Sequence, residues 1–288
     1  MRTNIPSFRL PADVLDEEIY RIIDMGAELK LNSYIDKLKP VIDEYDSVFI
    51  GTGAPKGKDL NLKGREISSE NIHIGIDWLT SIAFEHVKKI GKKVVVIGGG
   101  NTAMDCCRSA LRLGATDVKV TVRSPFSQMK ASEWEIEETM EEGIPILDNT
   151  SPKEFLFDDK GKLCGVKFEK MEQVEIDGRK KMQSTGEELT IECDDVLLAI
   201  GQENAFPWIE KDIGIEFGEW EMPVVDKLTM QSTHPKVFFG GDSAWGPENI
   251  IWAVSHGHQA AISIDNFCSG VSLKAVSYTH LTLPTKCS

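Results

Sequence analysis

The hydrophobic pattern changes its period along the chain, and each period predicts its own kind of element. Residues 92–100, KKVVVIGGG, hold four consecutive apolar positions that run into three glycines. Such an uninterrupted run suits a parallel strand covered on both faces. A helix is expected over about 101–113, closed by Gly114, and then a strand over 117–124, DVKVTVRS. Upstream, the pattern predicts a helix over about 13–25, with Asp13 as its N-cap and Gly26 as its stop. A short strand at 28–31, a helix at about 34–43 and a buried strand in DSVFIGTGAP (46–55) follow. Residues 75–90 read as a helix with Ile76, Leu79, Ile82 and Ala83 as its apolar positions. Residues 132–142 read as a very acidic helix whose charges form a solvated face. Over 153–195 the segments EFLFD, CGVKFEKMEQVEI and EELTIEC are separated by turn-rich DDKGK and DGRKKMQSTG, which predicts a three-stranded meander. DVLLAIGQ (195–202) returns to a buried strand; further strands are expected near 224–226 and 236–240, with a closing helix at about 250–268.

Composition narrows the function classes. The chain has 288 residues, with 46 acidic against 32 basic and a formal net charge of −14. The length favours two domains or one large one. The acidic balance argues against a nucleic-acid-binding surface, which needs clustered Lys and Arg. No apolar run reaches membrane-spanning length, so no membrane association is expected. The cysteines, at 106, 107, 164, 193, 268 and 287, form no C-x-x-C, so neither a zinc site nor a redox disulfide is expected, and a reducing, cytoplasmic setting is the default. Cys106 and Cys107 are adjacent and point apart on a helix. His256 and His258 flank Gly257, and nothing nearby completes a metal ligand set. The site is therefore expected to hold no metal.

Both ends stand apart. Residues 1–15 read as a mid-domain loop leading into a helix, with apolar positions whose packing partners are missing. Val276–Thr285 back-translates into the transposase adapter of a common sequencing-library kit read in frame. Residues 276–288 are expected to be non-native and are left out of the fold reading; a native, disordered tail is the alternative.

The chemistry concentrates at strand ends. Gly98-x-Gly100-x-x-Ala103 lies between the strand at 94–97 and the helix at 101–113. In that setting Gly98 permits a tight turn, Gly100 lets backbone approach a pyrophosphate, and Ala103 allows close helix–strand packing. The helix N-terminus presents free N–H groups to phosphate. The second strand ends at Arg123, where an NAD site usually has Asp or Glu, and Lys130 is nearby. Arginine receives a 2′-phosphate bidentately, so the pattern favours NADPH over NADH. FIGTGAP (49–55), LLAIGQ (197–202) and VFFGGD (237–242) are three further strand-to-glycine endings, which points to two dinucleotide sites. In the last, Asp242 is placed to accept a hydrogen bond from a ribityl hydroxyl. The alternative is that it caps the segment after it.

These segments together carry a resemblance. IPSFRLP (5–11), GTGAP (51–55), VVVIGGGNTAMDCCRSALRLGA (94–115), SEWEIEETMEEGI (132–144), AIGQ (199–202) and GGDSAWGPENIIWAVSHGHQAA (240–261) resemble the FAD- and NADPH-dependent oxidoreductases related to the glutamate synthase small (beta) subunit. The resemblance implies that Gly98, Gly99, Gly100, Asn101, Thr102 and Arg123 bind NADPH. It implies FAD contacts at Gly51, Thr52, Gly53, Gly241 and Asp242, and also at Asn249, Ile250 and Ile251. His258 is a candidate for placing partial positive charge near the flavin. The family often has two consecutive arginines where this chain has Arg123 and Ser124.

The resulting expectation is an α/β chain of two doubly wound, Rossmann-like dinucleotide-binding domains. The FAD domain is discontinuous and incomplete, at 1–70 and 203–270, and the NADPH domain, 71–202, is inserted and carries the meander. The family's first strand–GxGxxG–helix unit and its cysteine-rich iron–sulfur region are expected upstream of residue 1. Hydride passes from NADPH to FAD, and electrons go on to iron–sulfur clusters in that upstream region or a partner, or to an electron-accepting subunit such as a glutamate synthase large subunit. Because the cofactors carry this chemistry, no catalytic acid or base is nominated. The chain alone is expected to bind NADPH weakly, to hold no tight FAD and to oxidise no NADPH. The rival reading is an NADPH-binding scaffold without flavin turnover; a disulfide reductase of the thioredoxin-reductase type would need the missing C-x-x-C.

Overall fold

The computed structural model describes residues 1–67, 70–176 and 179–273; the segment 276–288 lies outside the described residues. The chain forms two compact units, one of Met1–Leu31 with Lys56–Gln202, the other of Asn32–Pro55 with the chain from Glu203 onward.

The first unit is built on a five-stranded parallel sheet. Its spatial order is Ile72–Ile74, Asp195–Leu198, Lys93–Ile97, Asp117–Thr121, Ile146–Leu147. Side chains alternate across a strand, so a strand covered twice must be apolar at every position. Val94 and Val96 pack in a cluster with Trp78, Leu79, Met104 and Ala110 from the helices. Val95 and Ile97 pack in another with Phe155, Val166 and Phe168 from the meander. That meander is antiparallel, Thr150–Phe157 against Leu163–Ile176 against Arg179–Glu192. The second layer on this sheet is thus three strands rather than the helices of a doubly wound pattern.

The helix Asn101–Arg112 is buried without a break from Ala103 to Ala110. Its apolar positions face the sheet, and two charged segments pack against its other side. The acidic helix, Glu133–Glu141, keeps Glu133, Glu137 and Glu141 on a solvated face, but Glu135 departs from that pattern: it is 4% exposed and pairs with Arg108 at 3.1 Å. Arg108 also meets Glu138 at 2.7 Å and Glu142 at 2.9 Å, and Arg112 meets Glu142 at 2.7 Å. Three arginines thus pair with Glu135, Glu138 and Glu142. The loop at 5–11 likewise finds its packing partners within this unit. The Arg108 and Arg112 guanidiniums sit 4.9 and 3.9 Å from the Phe8 ring centre, and Arg9 reaches Asp105 at 2.8 Å and Glu135 at 2.6 Å. Residues 1–31 therefore pack with the glycine-turn unit, although the sequence reading groups 1–70 with 203–270.

In the second unit Val48–Ile50 and Val237–Phe239 pair in parallel. Ile50, Val237 and Phe239 form a core with Leu38, Ile42, Ile209 and Ile215, while Phe238 packs with Met230 and Ala260 of the closing helix, Ile250–Cys268.

Several local expectations differ from the structure. Residues 28–31 form no strand, and the helix expected at 34–43 is reduced to Lys39–Glu44, with Pro40 in its first turn. The helix from Gly75 stops at Ala83, and 224–226 contributes only an isolated bridge, Val225 to Ser232. Pro11, not Asp13, occupies the N-cap of Ala12–Asp24; proline's fixed φ and missing N–H suit a helix start, and Asp13 lies in the first turn.

Layer packing gives a stability prediction. Phe168 is fully buried between the meander and the sheet, so Phe168→Ala should cost about 3–5 kcal/mol. Trp134 is 62% exposed, and Trp134→Ala should stay within about 0.5 kcal/mol. Urea denaturation of the two variants checks the difference, and equal losses would contradict the layer assignment.

Candidate functional site

In the first unit the parallel strands bring their carboxyl ends to one edge, where Gly98, Val122 and Ala199 stand. Each glycine of the turn has its own reason. Gly98 has φ +146°, and a Cβ there would lie 2.1 Å from the Ala199 carbonyl oxygen. A Cβ on Gly99 would lie 2.7 Å from the Val122 side chain. The Gly99 carbonyl accepts the N–H groups of Lys130 and Ala131, both at 3.0 Å, which folds the 123–131 loop back onto the turn. Gly100 differs: its φ is −105°, and a Cβ there would meet nothing within 4 Å. Nothing inside the chain requires glycine at that place; an approaching ligand would. The helix that follows has no side-chain cap, so its first N–H groups and the positive end of its dipole face the same space. Ala103 is fully buried, as close helix–strand packing requires.

The side chains around this turn divide into two kinds. Asn101 is committed to the protein: its Oδ1 accepts the Ser132 N–H at 2.8 Å, tying the start of one helix to the N-cap of the acidic one. That leaves the backbone of Asn101, rather than its carboxamide oxygen, to face a ligand. Thr102 Oγ1 accepts from Gln202 Nε2 at 3.3 Å. Arg123 and Lys130 are exposed and bracket the loop over the turn. Burial pushes the Cys107 thiol up to about 12, so it stays protonated and without nucleophilic character.

The second unit has its own glycine endings. Gly53 takes φ +74°, and the Phe49 ring lies 3.0 Å from where a Gly51 Cβ would be. Gly240 is walled in by the Phe49 ring and His256, and a Cβ on Gly241, at φ +63°, would lie 3.3 Å from the Ala253 Cβ, so the closing helix packs directly on the GGD turn. The Gly241 N–H donates to His256 Nδ1 at 3.2 Å, which places the imidazole hydrogen on Nε2. The ring also lies 4.5 Å from the Trp245 ring, and burial lowers its pKa. His256 is thus the histidine tied to this turn; the sequence pattern, which favours His258, holds no signal for that choice. Asp242 Oδ1 accepts the Glu248 N–H at 3.1 Å, and burial raises its pKa. One oxygen shapes the loop, as the capping alternative requires, and the other is left for a ligand. Asn249 Oδ1 caps the closing helix by accepting the Trp252 N–H at 3.0 Å; Ile250 and Ile251 are its first, exposed residues. Sequence reasoning also misses Asn204 and Ser243. Ser243 Oγ donates within the strand-end turn, 2.7 Å from the Gly240 carbonyl and 2.9 Å from that of Ile50. Asn204 Nδ2 donates to the Ser243 carbonyl at 3.0 Å, while its buried Oδ1 has no partner.

Among the described residues no cluster of His, Cys, Asp and Glu is arranged to hold a metal, and no helix is long and apolar enough to cross a membrane.

Comparison with known proteins agrees with this geometry. The chain is 31% identical over 284 residues to the NADPH-Fe(3+) oxidoreductase subunit beta of Geobacter sulfurreducens, covering 89% of this chain and 42% of that protein. It is 31% identical over 278 residues to the glutamate synthase [NADPH] small chain of Halomonas elongata, covering 90% of this chain and 58% of that one. The chain thus spans about half the length of these relatives. Mycobacterium tuberculosis FprA, solved in complex with NADPH, superposes with a TM-score of 0.73 at 16% identity, over 93% of this chain and 75% of that one. The architecture is accordingly the two-domain, Rossmann-like α/β one of FAD- and NADPH-binding oxidoreductases. The family model for pyridine nucleotide-disulphide oxidoreductases matches residues 14–257, and the chain belongs to that family.

Proposed function

We propose that this chain is the nucleotide-handling part of a cytoplasmic NADPH-dependent flavoprotein. In this reading a hydride passes from NADPH to FAD, and the electrons go on to iron–sulfur centres or to a partner subunit, in the manner of glutamate synthase small subunits. The observation that carries the reading is the turn at Gly98–Ala103. Gly100 opens onto space that a side chain would fill, directly before an uncapped helix N-terminus. When bound, NADPH supplies the hydride and FAD takes it up and releases electrons one at a time.

The chain's own residues bind and align. Backbone N–H groups from Gly99 to Thr102 would receive the NADPH pyrophosphate, and Arg123, assisted by Lys130, would receive the 2′-phosphate. Gly51, Thr52 and Gly53 line one side of the flavin nucleotide and Gly241 the other. Asp242 accepts from a ribityl hydroxyl through the oxygen that Glu248 leaves open. Asn249, Ile250 and Ile251 turn the start of the closing helix, with its unpaired N–H groups, toward the flavin. Proton movement needs no side chain at this stage, because a hydride carries its own electrons.

Four variants test the proposal. Gly98→Ala should destabilise the first unit by about 3 kcal/mol, since the backbone must move away from Ala199. Gly100→Ala should leave stability nearly unchanged and abolish measurable NADPH binding; thermal melts and fluorescence titration separate the two, and tight NADPH binding by Gly100→Ala would contradict the site. Arg123→Ala should weaken NADPH binding by about 1.5–3 kcal/mol, the scale of a charge-assisted hydrogen bond, and leave NADH binding nearly unchanged. A wild type that already prefers NADH would overturn the 2′-phosphate assignment. In the intact flavoprotein, Asp242→Ala should lower the FAD retained through gel filtration while the far-ultraviolet circular dichroism stays the same. Unchanged flavin content would remove Asp242 from the site.

A further inference from the structure

A buried charge cluster lies one helical turn below the glycine turn, and the proposed nucleotide chemistry does not use it. Asp105 and Glu135 are 3% and 4% exposed, and Arg108 is 6% exposed. Four carboxylates (Asp105, Glu135, Glu138, Glu142) meet three guanidiniums (Arg9, Arg108, Arg112). Only one of the three comes from outside the two helices. Arg9 arrives on the 5–11 loop and places Nη1 2.8 Å from both Asp105 oxygens, with Nε 2.6 Å from Glu135.

The position of Asp105 gives that contact a consequence. Helical side chains lean toward the N-terminus, and Asp105 lies four residues after the first residue of Asn101–Arg112, about 6 Å of helix rise. An uncompensated carboxylate there would repel an anion held on that N-terminus. Arg9 chelates both of its oxygens and cancels the repulsion.

We infer that Arg9 is a positioning residue for nucleotide binding, neutralising Asp105 so that the helix N-terminus keeps its attraction for a pyrophosphate. The inference rests on the nucleotide site proposed above. The charged groups facing Asp105 are Arg9 from the loop, Arg108 from its own helix and Glu135 from the acidic helix. Burial pushes the Asp105 carboxyl up to about 6, with Arg9 holding it down and Glu135 pushing it further up. Without Arg9 the carboxyl titrates higher still, so the repulsion is felt mainly on the alkaline side.

NADPH titrations of the whole chain at pH 6.5 and 8.5, with wild type, Arg9→Met, Asp105→Asn and the double variant, test this. Arg9→Met should bind NADPH about tenfold more weakly than wild type at pH 8.5, the effect of one unscreened charge at this range, and less so at pH 6.5. The double variant should recover to within about threefold of wild type at both pH values, because the carboxylate nearest the turn is gone and Arg108 still pairs with Glu135. Arg9→Met binding that matches wild type would overturn the inference. An equal deficit in single and double variants would overturn it too, since Arg9 would then act only by docking its loop. Should Arg9→Met fail to fold, Asp105→Asn decides alone: with Arg9 then opposed only by Glu135, it should bind NADPH at least twofold more tightly at pH 8.5, and unchanged or weaker binding overturns the inference. Wild type without measurable NADPH binding would overturn the nucleotide site itself and this inference with it, whereas wild-type binding that no variant alters overturns this inference alone.

Discussion

The close approach of Gly98 to the Ala199 carbonyl sets the geometry on which the rest of the first unit depends. A strand buried on both faces has to end where its layers end, and the chain must turn at once. At φ +146°, with no room for a Cβ, the turn lets two neighbouring parallel strands finish side by side. The helix that follows then starts directly at the sheet edge, with Ala103 against the strands. Its first N–H groups are left without a cap, and that unsatisfied end is the chemical opportunity. In the proposed reading the same constraint that closes the core opens the nucleotide site.

Much of this was legible because it is local. Four apolar residues followed by GGG, then a helical pattern and a second strand, specify strand, turn and helix without reference to the rest of the chain. The meander was legible for the same reason, since alternation and turn residues are short-range signals. Contacts between distant segments were not. The acidic helix has the pattern of a solvated face, and nothing within it announces that Arg108, Arg112 and Arg9 will cover Glu135 and Glu142. The 5–11 loop carried the matching half of that information and was equally silent. The resemblance implied Asn101 as a nucleotide contact, and its carboxamide oxygen is held by Ser132. His256 rather than His258 packs on the GGD turn, a choice that only the helix phase relative to Gly241 decides. At 28–31 and 34–43 the structure departs from the pattern: the first segment forms no strand, and the second is helical only over Lys39–Glu44, where Leu38 and Ile42 enter the core.

Buried ion pairs seldom add much stability, because desolvation offsets most of the Coulomb gain, while breaking one strands a charge at a cost of about 3–5 kcal/mol. The cluster around Arg108 is better understood as a device for register. It fixes two helices and a loop relative to the glycine turn with directional contacts that an apolar interface of the same area would not supply. Its surplus of one carboxylate also gives the helix an electrostatic sensitivity that an apolar core would lack.

The central claim is that backbone at Gly98–Ala103 receives a dinucleotide phosphate. Amide chemical-shift mapping of the chain during NADPH titration tests it most directly. The account predicts saturable shifts at the Gly99, Gly100, Asn101 and Thr102 amides and in the 123–131 loop, with one binding constant throughout. Saturable shifts that leave those amides unmoved and cluster elsewhere in the chain would contradict it.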